Sequence, residues 1–434
     1  MALTLLVGIA LRVVIGITLE YNNDVTAWTN TLANIESGNG LYNVAGYYYP
    51  PVWGYILASF SEVIGFLGID QWSEIFTEIL FVQDYNSEDA MVSTPVFNLA
   101  LTVMYMFADL LGALAVYWLI NHFTEDTVKA KIGFAVYFIG LNIILVGALG
   151  GMFDSFSALM TLLCIILLIK RNDFLSGIMF SMAVLLKLFP VFIFFIVVAY
   201  LLKKEGRFIN RRLALWAAGA GLALLVLYLP QILEGNLMDS LSFITARAGN
   251  AEGTGNILLK YSSMLIYPVI AILEVFVAYR FLKRDTYDID RTFVWFVLIS
   301  LAVVFIYPST PQYILLMMPF LIVAAFVHES RLTRPLLLLI IGGAIFQTSS
   351  LPFDLLSITM FWDAMSLDAW NSLYDLFYSP LLGGFNLMNI WSVVGAIPQY
   401  LSVLMTLWII LEHGGIDLRG KIRKAVGRET AAAE

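Results

Sequence analysis

The chain has 434 residues, 60% of them hydrophobic and 13% charged, with a mean hydropathy of +0.84. Soluble domains carry about 25% charged residues, so the composition excludes an ordinary soluble fold and points to segments that face lipid. The net charge of −8 gives no footing for a nucleic-acid partner, and the single cysteine, Cys164, lies in an apolar run that leaves no disulfide framework or cysteine metal site.

Taken in chain order, the sequence reads as one all-α membrane module over 1–434. A first apolar span covers 1–19, and no small-residue cleavage site follows it, so it is expected to be an uncleaved anchor. An outer loop follows over 20–95, then helices over 96–231, further helices and outer loops over 232–411, and a cytoplasmic tail over 412–434. Apolar runs predict about 11–13 transmembrane helices, among them 96–120, 132–149, 213–231, 258–280 and 391–411.

The stretch 51–68 is apolar enough to cross but carries Glu62 and opens on Pro50-Pro51. Placing it as a juxtamembrane helix puts the basic clusters at Lys129/Lys131, Lys170/Arg171, Lys203 to Arg212, Arg280 to Arg291, Arg331/Arg334 and Arg419 to Arg428 on one side. By the positive-inside rule that side is cytoplasmic. Only Arg12, Lys187, Arg247 and Lys260, of the 24 Lys and Arg residues, then fall in or beyond the outer half of the membrane. An anionic ligand such as phosphate accounts for basic residues there, and so does pairing with buried acids.

The outer loop is rich in order-making residues: Tyr21-Asn22-Asn23-Asp24, a helical stretch through Trp28, Gly38-Asn39-Gly40-Leu41-Tyr42, and Tyr47-Tyr48-Tyr49-Pro50-Pro51. Asp24 has two compatible readings. It can take a proton as a general base, or cap the helix that begins at Val25. Lys187, at the outer tip of a hairpin, either holds a lipid phosphate or snorkels to the interface. Arg247 either forks onto the same phosphate or is a solvated loop residue. Lys260 reads as an interfacial anchor, while Arg12 and Asp109 read as a structural pair. Asp154 binds substrate hydroxyls or caps the next helix, and Glu274 pairs inside the bundle. His122, His328 and His413 all fall on the cytoplasmic side, which disfavours an outer zinc site or a Ser-His-Asp triad. There is no Gly-Lys-Ser loop for a nucleotide, so any energy for outer chemistry must arrive in an activated donor.

Leu11-Arg12-Val13, Asn22-Asn23-Asp24, Glu36-Ser37-Gly38 with Leu41-Tyr42, Tyr49-Pro50-Pro51, Asp109-Leu110-Leu111, Asp154-Ser155, Lys187-Leu188-Phe189-Pro190 and Pro311-Gln312-Tyr313 follow one another in a familiar order. Over about the first three quarters of the chain they resemble the GT-C superfamily of polyprenyl-phosphate-sugar-dependent glycosyltransferases. The likeness is nearest to the mannosyltransferases that start the glycosylphosphatidylinositol glycan.

That resemblance implies a GT-C fold and an inverting transfer of a sugar, with mannose the expected one. The donor would be a polyprenyl-phosphate sugar and the acceptor a lipid or glycolipid, amid membrane lipids, on the extracytoplasmic or endoplasmic reticulum lumenal face. It implies Asp24 as base and Lys187 and Arg247 on the donor phosphate. Asn22, Trp28, Tyr42, Tyr49 and Asp154 would lie around the sugars. Asn22 stands where the family has the first acid of an Asp-x-Asp motif, so neither a metal nor another cofactor is expected. The segment 351–390 has no counterpart. The competing reading is a polytopic lipid or solute transporter or flippase, which predicts symmetric halves with broken spans.

Overall fold

The computed structural model describes residues 1–19, 22–42, 47, 49–66, 78–80, 90–92, 94–206, 210–241, 257–306, 311–349, 354–381 and 384–413. The first helices are α1 (Ala2–Thr18), α2 (Asn22–Glu36) and α3 (Pro51–Phe66), followed by α4 (Pro95–Thr124), α5 (Thr127–Phe138) and α6 (Leu141–Ile144), the last continuing as a π-helical turn at Leu145–Leu149. The next are α7 (Asp154–Ile169), α8 (Asp173–Leu186), α9 (Phe194–Glu205), α10 (Arg211–Glu234) and α11 (Leu237–Ser240). Last come α12 (Ile257–Lys283), α13 (Ile289–Val304), α14 (Met318–Val327), α15 (Thr333–Gln347), α16 (Leu356–Phe361), α17 (Leu367–Tyr378) and α18 (Leu387–His413). Short 3-10 turns at Phe189–Ile193, Pro311–Leu316 and Ser330–Leu332 link some of them. The departure from an all-α chain is a small antiparallel pair in the first loop, β1 (Glu78–Leu80) and β2 (Ala90–Val92), with Ile79 opposite Met91.

Local sequence sets the helix starts. Thr94 accepts from the backbone N–H of Phe97 ahead of Pro95, Asp126 accepts from Val128 and Lys129, and Asn210 accepts from Leu213. Each cap satisfies donors that a helix cannot pair internally. Gly206 and Gly235 close α9 and α10 in the left-handed region.

Among the described residues, α4, α10 and α18 are long and apolar enough to cross a membrane. A fourth crossing arises if α5 and the Leu141–Leu149 segment, bent by 42° at their junction, count as one span. α1, α7, α8 and α14 are apolar but shorter. This is the make-up of a membrane protein. The sequence breaks its apolar runs at Gly140, at Lys187 to Pro190 and at Pro311, and each break becomes a turn instead of a continuous helix.

Two buried ion pairs hold the helices in register. Arg12 on α1 donates Nε and Nη2 to Oδ2 of Asp109 on α4 at 3.0 and 2.8 Å, and Nη1 to the Phe138 carbonyl at 2.8 Å. Both residues are at most 1% exposed, so the expected mutual pairing is met, with α5 drawn in as well. Arg212, which the sequence groups with surface charges, is instead a buried fork on Asp173, with Nη2 at 2.7 Å from Oδ1 and 3.0 Å from the Leu168 carbonyl. It ties α10 to the α7–α8 junction. Glu274 also finds a partner inside the bundle, and that partner is a hydroxyl: Ser300 Oγ donates to Oε2 at 2.5 Å.

Where α8 crosses α10 the backbones touch. A Cβ on Gly177 would sit 2.0 Å from the Trp216 carbonyl oxygen, and one on Gly219 would sit 2.0 Å from that of Phe174. Only glycine permits this approach, as in tight helix pairs within membranes. α10 is held along this one stripe, with Trp216 and Ala220 also buried, while Leu222, Leu225, Val226 and Leu233 on its other sides are exposed. We expect Gly177→Val to destabilise the detergent-solubilised protein by about 1–3 kcal/mol or more. Gly221→Ala, where a Cβ meets nothing within 4 Å, should leave the unfolding midpoint unchanged or slightly raised. Equal midpoints for Gly177→Val and wild type in a thermal melt would contradict the crossing.

Candidate active site

The outer-loop helices meet the bundle through a cluster of rings. On α2, Val25, Trp28 and Leu32 share one face at helical spacing, and all three are buried. Trp28 lies 5.5–5.7 Å from Trp53, Phe153 and Tyr49. Trp53, from the first turn of α3, is stacked between Phe153 at 4.5 Å and Tyr105 at 5.8 Å. The indole N–H of Trp28 and the hydroxyl of Tyr105 both donate to the carbonyl oxygen of Gly151 at 2.7 Å. Gly151 has φ +59°, and a Cβ there would lie 2.7 Å from the Val25 side chain. The turn at 150–153 is thereby clamped to α2, and Asp154 follows as the first residue of α7.

Lys187 ends α8 in extended backbone, just before the 3-10 turn at Phe189–Ile193. Its side chain is 3% exposed, so it does not snorkel. Nζ lies 3.4 Å from Oδ2 of Asp154 and 4.2, 4.9 and 5.0 Å from the ring centres of Phe153, Tyr313 and Tyr49. Removing an ammonium from water costs several kcal/mol. One carboxylate and three ring faces, each worth about 0.5–2 kcal/mol, offset much of that. The ammonium makes no hydrogen bond among the described residues, so its N–H donors stay available to an oxyanion.

The expected site residues therefore divide. Lys187, Asp154 and Tyr49 come together, and Tyr42 supports them by donating its hydroxyl to the Tyr49 carbonyl at 2.7 Å. Trp28 is 1% exposed with its N–H committed to Gly151, so it holds the loop and offers no free face to a sugar. Asp154 is not the cap of α7, because that position belongs to Phe153. Asn22 and Asp24 fall in the first turn of α2, which begins three residues earlier than the sequence suggests. Asp24 is thus inside the helix, where a carboxylate favours the helix dipole. The side chains of Asn22 and Asp24 lie outside the described residues, as do all of Arg247 and the side chain of Lys260. The position of Asp24 is nevertheless fixed by its neighbour Val25, which packs on Gly151.

Phe153, Gly151 and Tyr313 are the residues that sequence reasoning left without a role. Tyr313 belongs to the Pro311-Gln312-Tyr313 motif and also meets Phe189 at 4.7 Å, which joins the two 3-10 turns. Burial pushes the Tyr42 and Tyr47 phenols well above their ordinary range. Tyr47 is also held neutral by donating to the Pro50 carbonyl at 2.8 Å. Both phenols stay protonated near neutral pH. Among the described residues no group of three or more His, Cys, Asp and Glu side chains is placed to hold a metal ion. A cavity of about 10 Å³ beside Val25, Gly147 and Gly151 has room for about one water, far less than a sugar ring.

No family model matches the chain, and no curated protein matches it. The geometry carries its own test. Lys187→Met should remove the cation that faces the buried Asp154 carboxylate and destabilise the protein by about 3–5 kcal/mol. The double change Lys187→Met with Asp154→Leu should recover most of the lost midpoint in a thermal melt. A double variant as unstable as the single one would show that the two charges are not coupled.

Proposed function

We propose that the chain is a multi-pass, GT-C-type glycosyltransferase that moves a sugar, mannose in the first instance, from a polyprenyl phosphate to a lipid-linked acceptor. The supporting observation is the Lys187 ammonium with unspent donors, held beside the turn on which the Asp24-bearing end of α2 rests. An ammonium of that kind suits a leaving phosphate, and an acid on the adjoining helix suits an attacking hydroxyl.

In this reaction Asp24 accepts the proton of the acceptor hydroxyl as its oxygen bonds to the anomeric carbon. The bond from that carbon to the phosphate oxygen breaks, and its electron pair leaves with the lipid phosphate. Attack opposite the leaving group inverts the anomeric centre. Lys187 steadies the phosphate charge, with Arg247 from the loop that follows α11 as a second cation. Asp154 keeps the ammonium in place and lowers the cost of its burial. The Tyr49 and Tyr313 rings cover Lys187, so they must rotate aside for the donor to bind, and Tyr42 sets the resting position of the first.

Purified protein supplied with radiolabelled polyprenyl-phosphate-mannose and a lipid extract should transfer label to lipid. Asp24→Asn should lower the rate by about 10²-fold or more while leaving donor binding intact. Full transfer by Asp24→Asn, or label that never reaches any acceptor, would sink the proposal; label that crosses a vesicle membrane unaltered would point to a transporter.

A further inference from the structure

A second site lies at the opposite end of the helices. α9 starts just beyond Lys187 and ends near Lys204, which pairs with Asp290 at the start of α13. There the Trp295 ring stands 5.2 Å from His413, the last residue of α18. Beside this point is a cavity of about 290 Å³ lined by Arg331, Arg334, Met405, Trp408, Ile409 and Glu412. The four α18 residues follow i, i+3, i+4, i+7 spacing and form one face. The two arginines come from the 3-10 turn at Ser330–Leu332 and from the first turn of α15.

The charges in this cavity are not equivalent. Arg331 is committed, with Nη1 on Glu412 Oε2 at 2.9 Å and Nη2 on Glu329 Oε2 at 3.2 Å. Glu412 accepts from Trp408 Nε1 on its other oxygen at 2.9 Å, so both its oxygens are engaged and its charge is met. Arg334 is exposed, with no hydrogen bond or ion pair among the described residues. It also occupies the first turn of α15, where the helix dipole opposes a cation. Among the described residues nothing pairs with the arginine there, whereas an anion would. The wall facing it is apolar at Met405 and Ile409 and carries Trp408, the residue type that settles at a membrane surface. The sequence beyond α18 adds Arg419, Lys421, Arg423, Lys424 and Arg428, a charge run of the kind an anionic leaflet attracts.

We propose that this cavity binds the headgroup phosphate of an anionic membrane phospholipid. The Arg334 fork holds the phosphate, and Met405, Trp408 and Ile409 flank the first carbons of an acyl chain. The inference is independent of the transferase reading and holds for any activity at the other end.

Native mass spectrometry of the full chain in detergent tests it with phosphatidylglycerol, phosphatidylcholine and inorganic phosphate as probes. Phosphatidylglycerol should be retained over phosphatidylcholine and should not be displaced by inorganic phosphate. Arg334→Gln should cut that retention about tenfold, the loss of one charge-assisted contact, whereas Arg334→Lys should keep part of it. Both variants should melt with the wild type, since the side chain is exposed. Unchanged retention by Arg334→Gln, equal retention of the two lipids, or displacement by inorganic phosphate would each overturn the proposal.

Discussion

Two donors from different helices converge on one backbone oxygen, the carbonyl of Gly151, and the outer half of the molecule takes its arrangement from that convergence. Trp28 brings α2, Tyr105 brings α4, and the left-handed turn that presents the carbonyl leads straight into Asp154. A buried carbonyl left without a partner costs about 1–3 kcal/mol, and here two buried donors need a partner as well. Loss of either donor would loosen the turn, and with it the carboxylate that faces Lys187.

The same logic of burial governs the charges deeper in the bundle. Every nitrogen of the Arg12 guanidinium donates to the Asp109 carboxylate or to a carbonyl, and Arg212, at the other end of α8, spends Nε and Nη2 on Asp173 and the Leu168 carbonyl while its Nη1 makes no hydrogen bond among the described residues. Both arginines fork onto a carboxylate and serve as fasteners. Lys187 differs in kind, because its charge is balanced but its donors are not used among the described residues. That contrast between cations hydrogen-bonded to their carboxylate and one that is not separates structural residues from a candidate site residue.

Parts of this arrangement were legible in the sequence. Two opposite charges in apolar spans made the Arg12–Asp109 pair readable, since neither could stay alone in hydrocarbon. The place of Lys187 at a break between two apolar helices was readable from the basic residues at the far ends of its hairpin. Its burial was not, because the rings that cover it come from positions 49, 153 and 313, and nothing local ties them together. Trp28 was misread for a related reason. An aromatic residue in a loop looks available to a ligand, yet its spacing with Val25 and Leu32 already formed a buried stripe. Arg212 was hidden by its company, as a lone buried arginine in a basic cluster is indistinguishable by charge from its solvated neighbours. At Gly140 a turn interrupts an apolar run that reads as continuous, since hydropathy records composition and not backbone continuity.

The single-stripe attachment of α10 has a mechanical consequence. Along Gly177 and Gly219 its contact is fixed by shape, while Leu222, Leu225, Val226 and Leu233 on its other sides are exposed among the described residues. From its far end the Leu227 carbonyl accepts from Tyr55 at 3.2 Å and Gln231 donates to the same hydroxyl at 2.7 Å, so α10 carries α3 and, through Trp53, the ring cluster. A helix supported on one side by protein and on the others by hydrocarbon rolls or tilts as the thickness of that hydrocarbon changes. The lipid around α10 therefore acts as a bearing, and its stiffness enters the geometry at Lys187 through three intervening residues.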